Sequence, residues 1–127
     1  MIREIVYGQI LAKANHYQVG LNKGTGERHI ILDEAFREYA RSFREQCHIY
    51  AQRGIDRPFI LFCHVWHSNR RFDLDNSLKT LLDLLQDVGA ITDDNLCIGI
   101  QAVKHIDPIR PRIEFAIGEL EPRLFSH

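Results

Sequence analysis

Cysteine is scarce in this chain, and apolar stretches long enough to cross a bilayer are missing. The three cysteines, Cys47, Cys63 and Cys97, are odd in number and form no Cys-x-x-Cys pair, which argues against a disulfide framework and a zinc finger. The longest apolar run, residues 59–66, is too short to span a membrane, and no targeting peptide is visible. We therefore expect a cytoplasmic protein with reduced thiols and no membrane partner.

A charge excess of either sign is also missing, because 16 lysines and arginines face 17 aspartates and glutamates, for a formal net charge of −1. This balance argues against a generally cationic nucleic-acid-binding protein. The cations are nevertheless unevenly placed. Arg70 and Arg71 precede an acidic segment, and five further residues fall in one early loop: Lys13, His16, Lys23, Arg28 and His29. The early group predicts either part of a local positive rim or ordinary solvated cations.

The length and the apolar pattern predict one α+β domain over residues 1–127. At 45% hydrophobic and 26% charged residues, the chain can build a single core. The predicted order is strand, helix, strand, helix, strand, strand, which gives a single mixed β-sheet with helices packed on it. We expect strands at 2–11, 59–66, 96–106 and 112–118, a helix capped by Asp33, and a mobile loop or open hairpin at 15–29. The 59–66 run predicts a strand buried on both faces.

Residues 73–94 contain the second helix and most of the acidic residues of interest. Its apolar side chains recur at the spacing of one helical face, and they are Leu78, Leu81, Leu82, Leu85 and Val88. Asp75 or Asn76 is expected to cap its start. Gly89 stands where a left-handed residue commonly ends a helix.

The same segment can bring carboxylates and an ammonium together. Asp73 and Asp75 lie two apart, so an extended entry would point both to one side. Lys79 follows Asp75 by one turn, and a chain doubling back after the helix could carry Asp93 and Asp94 past its start. Converging carboxylates repel one another unless a divalent cation occupies them, and oxygen ligands suit Mg²⁺ or Mn²⁺. The pattern favours metal-dependent hydrolysis of a nucleic-acid backbone.

A plainer interpretation explains each residue separately. Aspartates near a helix start are favoured because they cap amide groups and oppose the helix dipole. An acidic pair in a loop is ordinary turn chemistry, and Lys79 could pair with Asp83 one turn on. The functional hypothesis therefore depends on the joint occurrence of these residues at these spacings.

These residues resemble the pattern of the RusA-type Holliday junction resolvases. The similarity rests on Arg71-Phe72-Asp73-Leu74-Asp75-Asn76, then Lys79, the Leu82-Asp83-Leu84-Leu85 run, Gly89 and Asp93-Asp94. It spans most of the chain in outline, and its specific part covers residues 70–94. The family usually has Pro-Pro-Ser-x-Asn after the first strand and another arginine before the first aspartate. Here Asn15 keeps part of the first motif, and Phe72 replaces the arginine.

The resemblance implies a magnesium-dependent endodeoxyribonuclease that acts as a homodimer on four-way DNA junctions. It implies metal binding and catalysis by Asp73, Asp75 and Asp94, with Lys79 as a catalytic partner. Asn76 and Asp93 match motif positions with a less defined role, Asn76 as a capping residue and Asp93 as a turn residue or a neighbour of the metal ligands. The expected DNA-binding residues are Arg70, Arg71, Lys13, Asn15, His16 and Arg28.

Two other functions are compatible with the same residues. The first is a metal-dependent nuclease acting on a flap, a single strand or RNA, because every catalytic residue would be shared. The second is a DNA-binding dimer without activity, whose acidic residues form a capping network. Substrate comparison separates the first from a junction resolvase, and metal-dependent cleavage separates the second.

Overall fold

A computed structural model of the chain describes residues 1–120. These residues form two helices, α1 (Glu34–Gln46) and α2 (Leu74–Asp87), and six strands, β1 (Glu4–Tyr7), β2 (Tyr17–Leu21), β3 (Arg28–Leu32), β4 (Phe59–His67), β5 (Cys97–Ile106) and β6 (Arg112–Glu119). Two single-turn 3₁₀ helices, Lys13–Asn15 and Asp94–Leu96, lie in the connections.

Four of the strands form one mixed sheet in the order β1-β6-β4-β5. β4 and β5 are parallel and are connected through α2, while β6 runs antiparallel to both β1 and β4. The predicted α+β class is therefore confirmed. Because β4 and β5 are parallel, Phe59 lies beside Cys97 at one end of the sheet and His67 beside Ile106 at the other. The two ends are a strand length apart, and this separation matters for the site.

The sheet buries only one of its faces within residues 1–120. Along β4, Phe59, Leu61, Cys63, Val65 and His67 are buried, and they belong to the face that packs on the helices. The residues between them are Ile60, Phe62, His64 and Trp66, and they are half-buried or exposed. The expectation that this run would be buried on both faces is wrong. We call the uncovered side, which β4 presents through those four residues, the open face.

Residues 15–29 were expected as a loop or an open hairpin, and a hairpin forms. β2 and β3 pair antiparallel from Tyr17–Leu32 to Leu21–Arg28 as a separate two-stranded sheet. All residues of β2 except Gly20 are exposed. The predicted strand order lacked this pair. The first strand is also shorter than expected, since β1 ends at Tyr7 and Gly8 follows with φ +114°.

The helix ends match the sequence expectations in part. Asp33 caps α1, its side chain accepting a hydrogen bond from the Phe36 amide at 2.9 Å, as predicted. α2 begins two to three residues earlier than expected, because Asp73, and not Asp75 or Asn76, occupies the N-cap position. Gly89 follows α2 with φ +72°, which confirms the left-handed end.

The three cysteines are free thiols, as expected. Burial raises the pKa of Cys63 to about 12, and burial together with a hydrogen bond to Glu4 raises the pKa of Cys47 to about 12. Both side chains therefore act as small apolar groups of the core. Neither helix of residues 1–120 is long and apolar enough to cross a membrane.

Candidate active site

A cleft of about 520 Å³ lies at the start of α2. Its lining is acidic and basic, and it consists of Asp73, Leu74, Asp75, Asn76, Lys79 and Lys104. The side chains of Asp73, Asp75, Lys79 and Lys104 are exposed, so their charged groups are open to a ligand. The structure thus brings together two of the three predicted metal ligands and the predicted catalytic lysine.

The sequence delivers these residues through the β4–α2 connection. β4 ends at His67, five residues form a loop, and Asp73 begins α2. Asp75 lies in the first turn of the helix, and Lys79 follows it by one turn on the same side. Unpaired amide groups and the helix dipole make this end of α2 favourable for negative charge. That environment stabilises the two carboxylates, and it also favours a phosphate that approaches them.

A buried hydrogen-bond chain supports the first turn of α2. The Ser77 hydroxyl donates to the Asp73 carbonyl at 2.9 Å and lies 2.8 Å from the His67 ring Nε2. His67 is fully buried. Since the hydroxyl hydrogen is used by Asp73, we infer that Nε2 carries the hydrogen donated to Ser77. Burial, reinforced by the nearby Lys104 charge, holds the pKa of His67 below its ordinary value, which agrees with a neutral ring.

Lys104 is a site residue that sequence reasoning missed. It lies near the end of β5, and its ammonium donates to the Phe72 carbonyl at 2.6 Å and to the Arg70 carbonyl at 3.2 Å. One sequence signal could have found it. Parallel strands joined through a helix end at the same edge of a sheet, so a lysine near the end of the predicted 96–106 strand should lie near the residues that follow the 59–66 strand.

Asp94 does not join the cleft within one chain. Its amide donates to the side chain of Gln86 at 3.2 Å, at the end of α2, and it precedes Cys97, which lies beside the start of β4. The eleven residues from Asp75 to Gln86 correspond to roughly 16 Å of helix. The expectation that the returning chain would carry Asp93 and Asp94 past the helix start is therefore wrong, because the chain crosses to β5 at the opposite end of the sheet.

Asp93 and Asn76 have local structural partners. The Asp93 carboxylate accepts from the Asn95 amide at 2.9 Å and caps the Asp94–Leu96 turn, which is the turn role expected as one alternative. The Asn76 amide lies 3.4 Å from an Asp73 oxygen and does not cap the helix. Among residues 1–120, no group of three or more histidine, cysteine or acidic side chains could hold a metal ion.

The predicted DNA-binding residues divide into two places. Lys13 lines a second concavity of about 180 Å³ together with Asn76 and Lys79, and so adjoins the acidic cleft. Its ammonium lies 3.4 Å from Asp83. Arg70 and Arg71 are exposed in the loop before Asp73.

The remaining predicted DNA-binding residues surround the hairpin. Asn15 is exposed in the 3₁₀ turn before β2. His16 contacts Asp33 at 2.8 Å at the base of the hairpin. Arg28 is exposed at the start of β3. Lys13 therefore lies beside the cleft, whereas the His16 ring is engaged with Asp33 inside the fold.

The donor atoms of the cleft fit a hard divalent cation. Asp73 and Asp75 offer carboxylate oxygens, and neither histidine nor cysteine lines the cleft. Mg²⁺ prefers oxygen ligands and commonly uses one or two protein carboxylates, with water or substrate phosphate completing the octahedron. The two exposed carboxylates meet that requirement. The residues that could hold the metal in one chain are Asp73 and Asp75.

An open cleft lined by two carboxylates and two lysines, on an α+β fold, has the side chains that phosphodiester hydrolysis commonly uses. Comparison with known families gives a direct result. The family described as Endodeoxyribonuclease RusA matches residues 8–118, and the chain belongs to this family. The family is one of endodeoxyribonucleases that resolve Holliday junctions. No curated protein matches the chain.

Proposed function

We propose that this protein is a magnesium-dependent, junction-selective endodeoxyribonuclease that works as a two-fold homodimer in DNA recombination and repair. The observation that carries the proposal is the cleft that Asp73, Asp75 and Lys79 line together, with Lys79 one helical turn after Asp75. Mn²⁺ could replace Mg²⁺, because both accept oxygen ligands.

The residues of the cleft divide the chemistry among them. Asp73 and Asp75 would hold the cation, and the bound metal would activate water and offset charge on the phosphodiester. Lys79 extends from the same helix into the same cleft, and it forms no salt bridge within residues 1–120. Its ammonium is therefore free to bind a non-bridging or leaving oxygen as negative charge develops.

Asp94 would serve the site of a second copy of the chain. In one chain it lies near the start of β4, whereas Asp73 follows the end of β4. If two copies pack with their β4 strands antiparallel, the Asp94 end of one chain lies over the Asp73 end of the other. A two-fold axis repeats this relation, so both sites would gain a third carboxylate.

The open face of the sheet is the proposed pairing surface. It carries the half-buried Phe62 and Trp66 on β4 and the exposed Val103 on β5. A depression of about 460 Å³ lies on it, lined in part by Met1, Phe62 and Val103. Apolar side chains that share one face and remain in contact with solvent mark an interaction site when they form a contiguous patch. A second copy is the occupant that also completes the carboxylate set.

A dimer also suits the substrate of the family. A four-way junction is resolved by nicks in two opposed strands, and one cleft cuts one strand. Two clefts related by a two-fold axis match a junction with the same symmetry. A nuclease acting on flaps or single strands would not require this pairing, so a dimer would favour the junction as substrate.

Cleavage of synthetic DNA tests the proposed function. A four-way junction, a linear duplex and a flap of equal length would be incubated with the protein with Mg²⁺, with Mn²⁺ and with EDTA. We expect metal-dependent paired nicks in the junction and none in Asp75→Asn. Glu38→Gln, which removes an exposed carboxylate on α1, is the control and should cut normally. Equal cutting of junction and linear DNA would refute junction selectivity, and no metal-dependent cutting would refute the nuclease.

A further inference from the structure

Lys104 comes from a strand that supplies none of the site residues expected from the sequence. It comes from β5, the edge strand of the sheet, where it pairs in register with Val65. Its side chain reaches the loop that precedes Asp73 and lines the acidic cleft opposite the α2 residues Asp75 and Lys79. The cleft is thus bordered by lysines from two different elements.

The ammonium of Lys104 is held in place without being neutralised. Two of its three N–H groups are used by the carbonyls of Phe72 and Arg70. Neutral carbonyls orient the ammonium but do not cancel its charge. Within the part of the chain that the structure describes, Lys104 forms no salt bridge. One N–H group and the full positive charge remain for a ligand in the cleft.

The ligand that suits this position is a phosphate of the DNA backbone. An exposed lysine fixed by two hydrogen bonds loses little further side-chain entropy when it binds an anion. The proposed reaction brings a DNA strand to this cleft, and that strand must place phosphates on both sides of the cut. We propose that Lys104 binds the backbone phosphate that adjoins the scissile phosphate.

This inference rests on the proposed function and assigns one contact of its substrate. A purely structural role is the alternative, in which Lys104 only anchors the loop from Ser68 to Phe72. The two roles differ in a measurable way. A phosphate contact releases counterions from DNA, so each contact contributes about 0.9 to the slope of log binding constant against log salt concentration. Anchoring the loop releases no counterion itself and would act on the slope only through Arg70 and Arg71 in that loop, so the Lys104 variants are also compared in a chain that carries Arg70→Met and Arg71→Met.

The test is equilibrium binding of a fluorescent four-way junction in EDTA, where metal-dependent cleavage is blocked, over roughly 50–200 mM salt. Lys104→Met removes charge and donor, Lys104→Gln keeps a donor without charge, and Lys104→Arg keeps both. Arg41→Met, on the exposed side of α1, removes the same charge elsewhere. Thermal melting checks that each variant is folded.

We expect Lys104→Met and Lys104→Gln to bind more weakly and to lower the salt slope by about one. Lys104→Arg and Arg41→Met should keep the slope of the original protein. A slope unchanged in both neutral variants would overturn the phosphate contact while leaving the nuclease proposal standing, provided the original protein still cuts junctions with Mg²⁺. If the original protein neither binds nor cuts any DNA, the proposed function fails and the Lys104 inference fails with it.

Discussion

The Asp94 amide donates to the Gln86 side chain at 3.2 Å, and this contact fixes Asp94 at the far end of α2 from Asp75. Helix α2 is 14 residues long, and it separates Asp75 in its first turn from Asp94 beyond its end. One chain therefore cannot bring both carboxylates to one metal ion without unfolding that helix. If both serve the same ion, they must come from different chains.

Mixing two inactive variants tests this arrangement. Asp75→Asn and Asp94→Asn should each abolish Mg²⁺-dependent cleavage as homodimers. In a mixed dimer, one site would carry both substitutions and the other would be intact. We expect the mixed dimer to nick one strand of the junction at a time, at about half of the original rate per dimer, because one of the two sites is restored. The measurement is nicking of the junction by a heterodimer that is purified through a different tag on each of its two chains.

The alternative arrangement, with Asp94 supplied by the same chain, predicts a different result. If each site takes Asp94 from its own chain, every site of the mixed dimer carries one defect and no nicking returns. A mixture of Asp73→Asn and Asp75→Asn provides the control. Both residues line the same cleft of one chain, so that mixed dimer should stay inactive in either arrangement.

The open face gives a second prediction. Val103 is 46% exposed on β5, and replacing it with glutamate would place a charge on the proposed pairing surface at little cost to the isolated chain. We expect Val103→Glu to be monomeric by sedimentation at concentrations where the original protein is dimeric. Metal-dependent cleavage should fall with it, because the sites would lose the partner's carboxylates.

The matched control is Val19→Glu. Val19 is 68% exposed in the β2–β3 hairpin and is replaced by the same charge on a strand away from the open face. It should remain dimeric. A dimeric Val103→Glu variant would show that the chains pair through another surface, such as the edge of β5.

Local features of the sequence predicted most of the fold. The Asp33 cap, the left-handed Gly89 and the spacing of the α2 leucines depend on neighbours within one or two turns, and the structure confirms the first two. The α2 face is confirmed in part, since Leu78 and Leu82 are only half-buried and Leu84, which the predicted face left out, is buried. The α2 start was misplaced because Asp73, Asp75 and Asn76 are all favourable capping residues. In the structure the Asp73 carbonyl accepts hydrogen bonds from the Ser77 amide at 3.2 Å and from the Ser77 hydroxyl at 2.9 Å, as expected of an N-cap residue.

Features that depend on topology were not predictable in the same way. The position of Asp94 follows from the parallel pairing of β4 and β5, since a parallel connection must return the chain to the starting end of the sheet. A change of chain direction at Gly89 does not show to which end of the sheet the chain returns. Lys104 was missed for the same reason, because it reaches the cleft from a neighbouring strand. The uncovered open face depends on what packs against β4, which a continuous apolar run does not specify.

Lys79 provides a third prediction, on the chemical step. Lys79→Met should lower the rate constant for cleavage about a hundredfold or more, as expected when one charged donor to a developing oxyanion is removed. The junction affinity measured in EDTA should change little by comparison. Lys13→Met is the informative comparison, since Lys13 lines the adjoining concavity and contacts Asp83. It should affect affinity more than rate, and an equal rate loss in both variants would argue against a special role for Lys79.

His67 makes stability depend on pH. Burial keeps its pKa in the folded protein below the ordinary value, with Lys104 acting in the same direction and Asp73 opposing. The unfolded chain therefore binds a proton more readily, and folding stability rises with pH across this window. The contribution is fully present above about pH 6.5, the ordinary histidine value, and is lost as pH falls towards the folded pKa.

Urea unfolding across that window in EDTA checks the prediction. The free energy of unfolding of His67→Gln should fall less on acidification than that of the original protein, even if the variant is less stable at neutral pH. His48→Gln, at an exposed position, should keep the original pH dependence. Parallel curves for the original protein and His67→Gln would show that His67 is not the group that titrates.

Gly89 provides the last prediction, because it ends the helix that spaces the two acidic positions. Its φ of +72° is strained for a residue with a side chain, and an added Cβ would lie 3.3 Å from the Gln52 side chain. Gly89→Ala should lower the free energy of unfolding by about 1–2 kcal/mol. Gly24→Ala in the hairpin meets only Asn22 at 3.4 Å and should have a smaller effect. Since Gly89 does not line the cleft, cleavage by folded Gly89→Ala should be nearly normal. A large loss of rate at full folding would instead show that the α2–β5 turn sets the position of Asp94 at the partner's site.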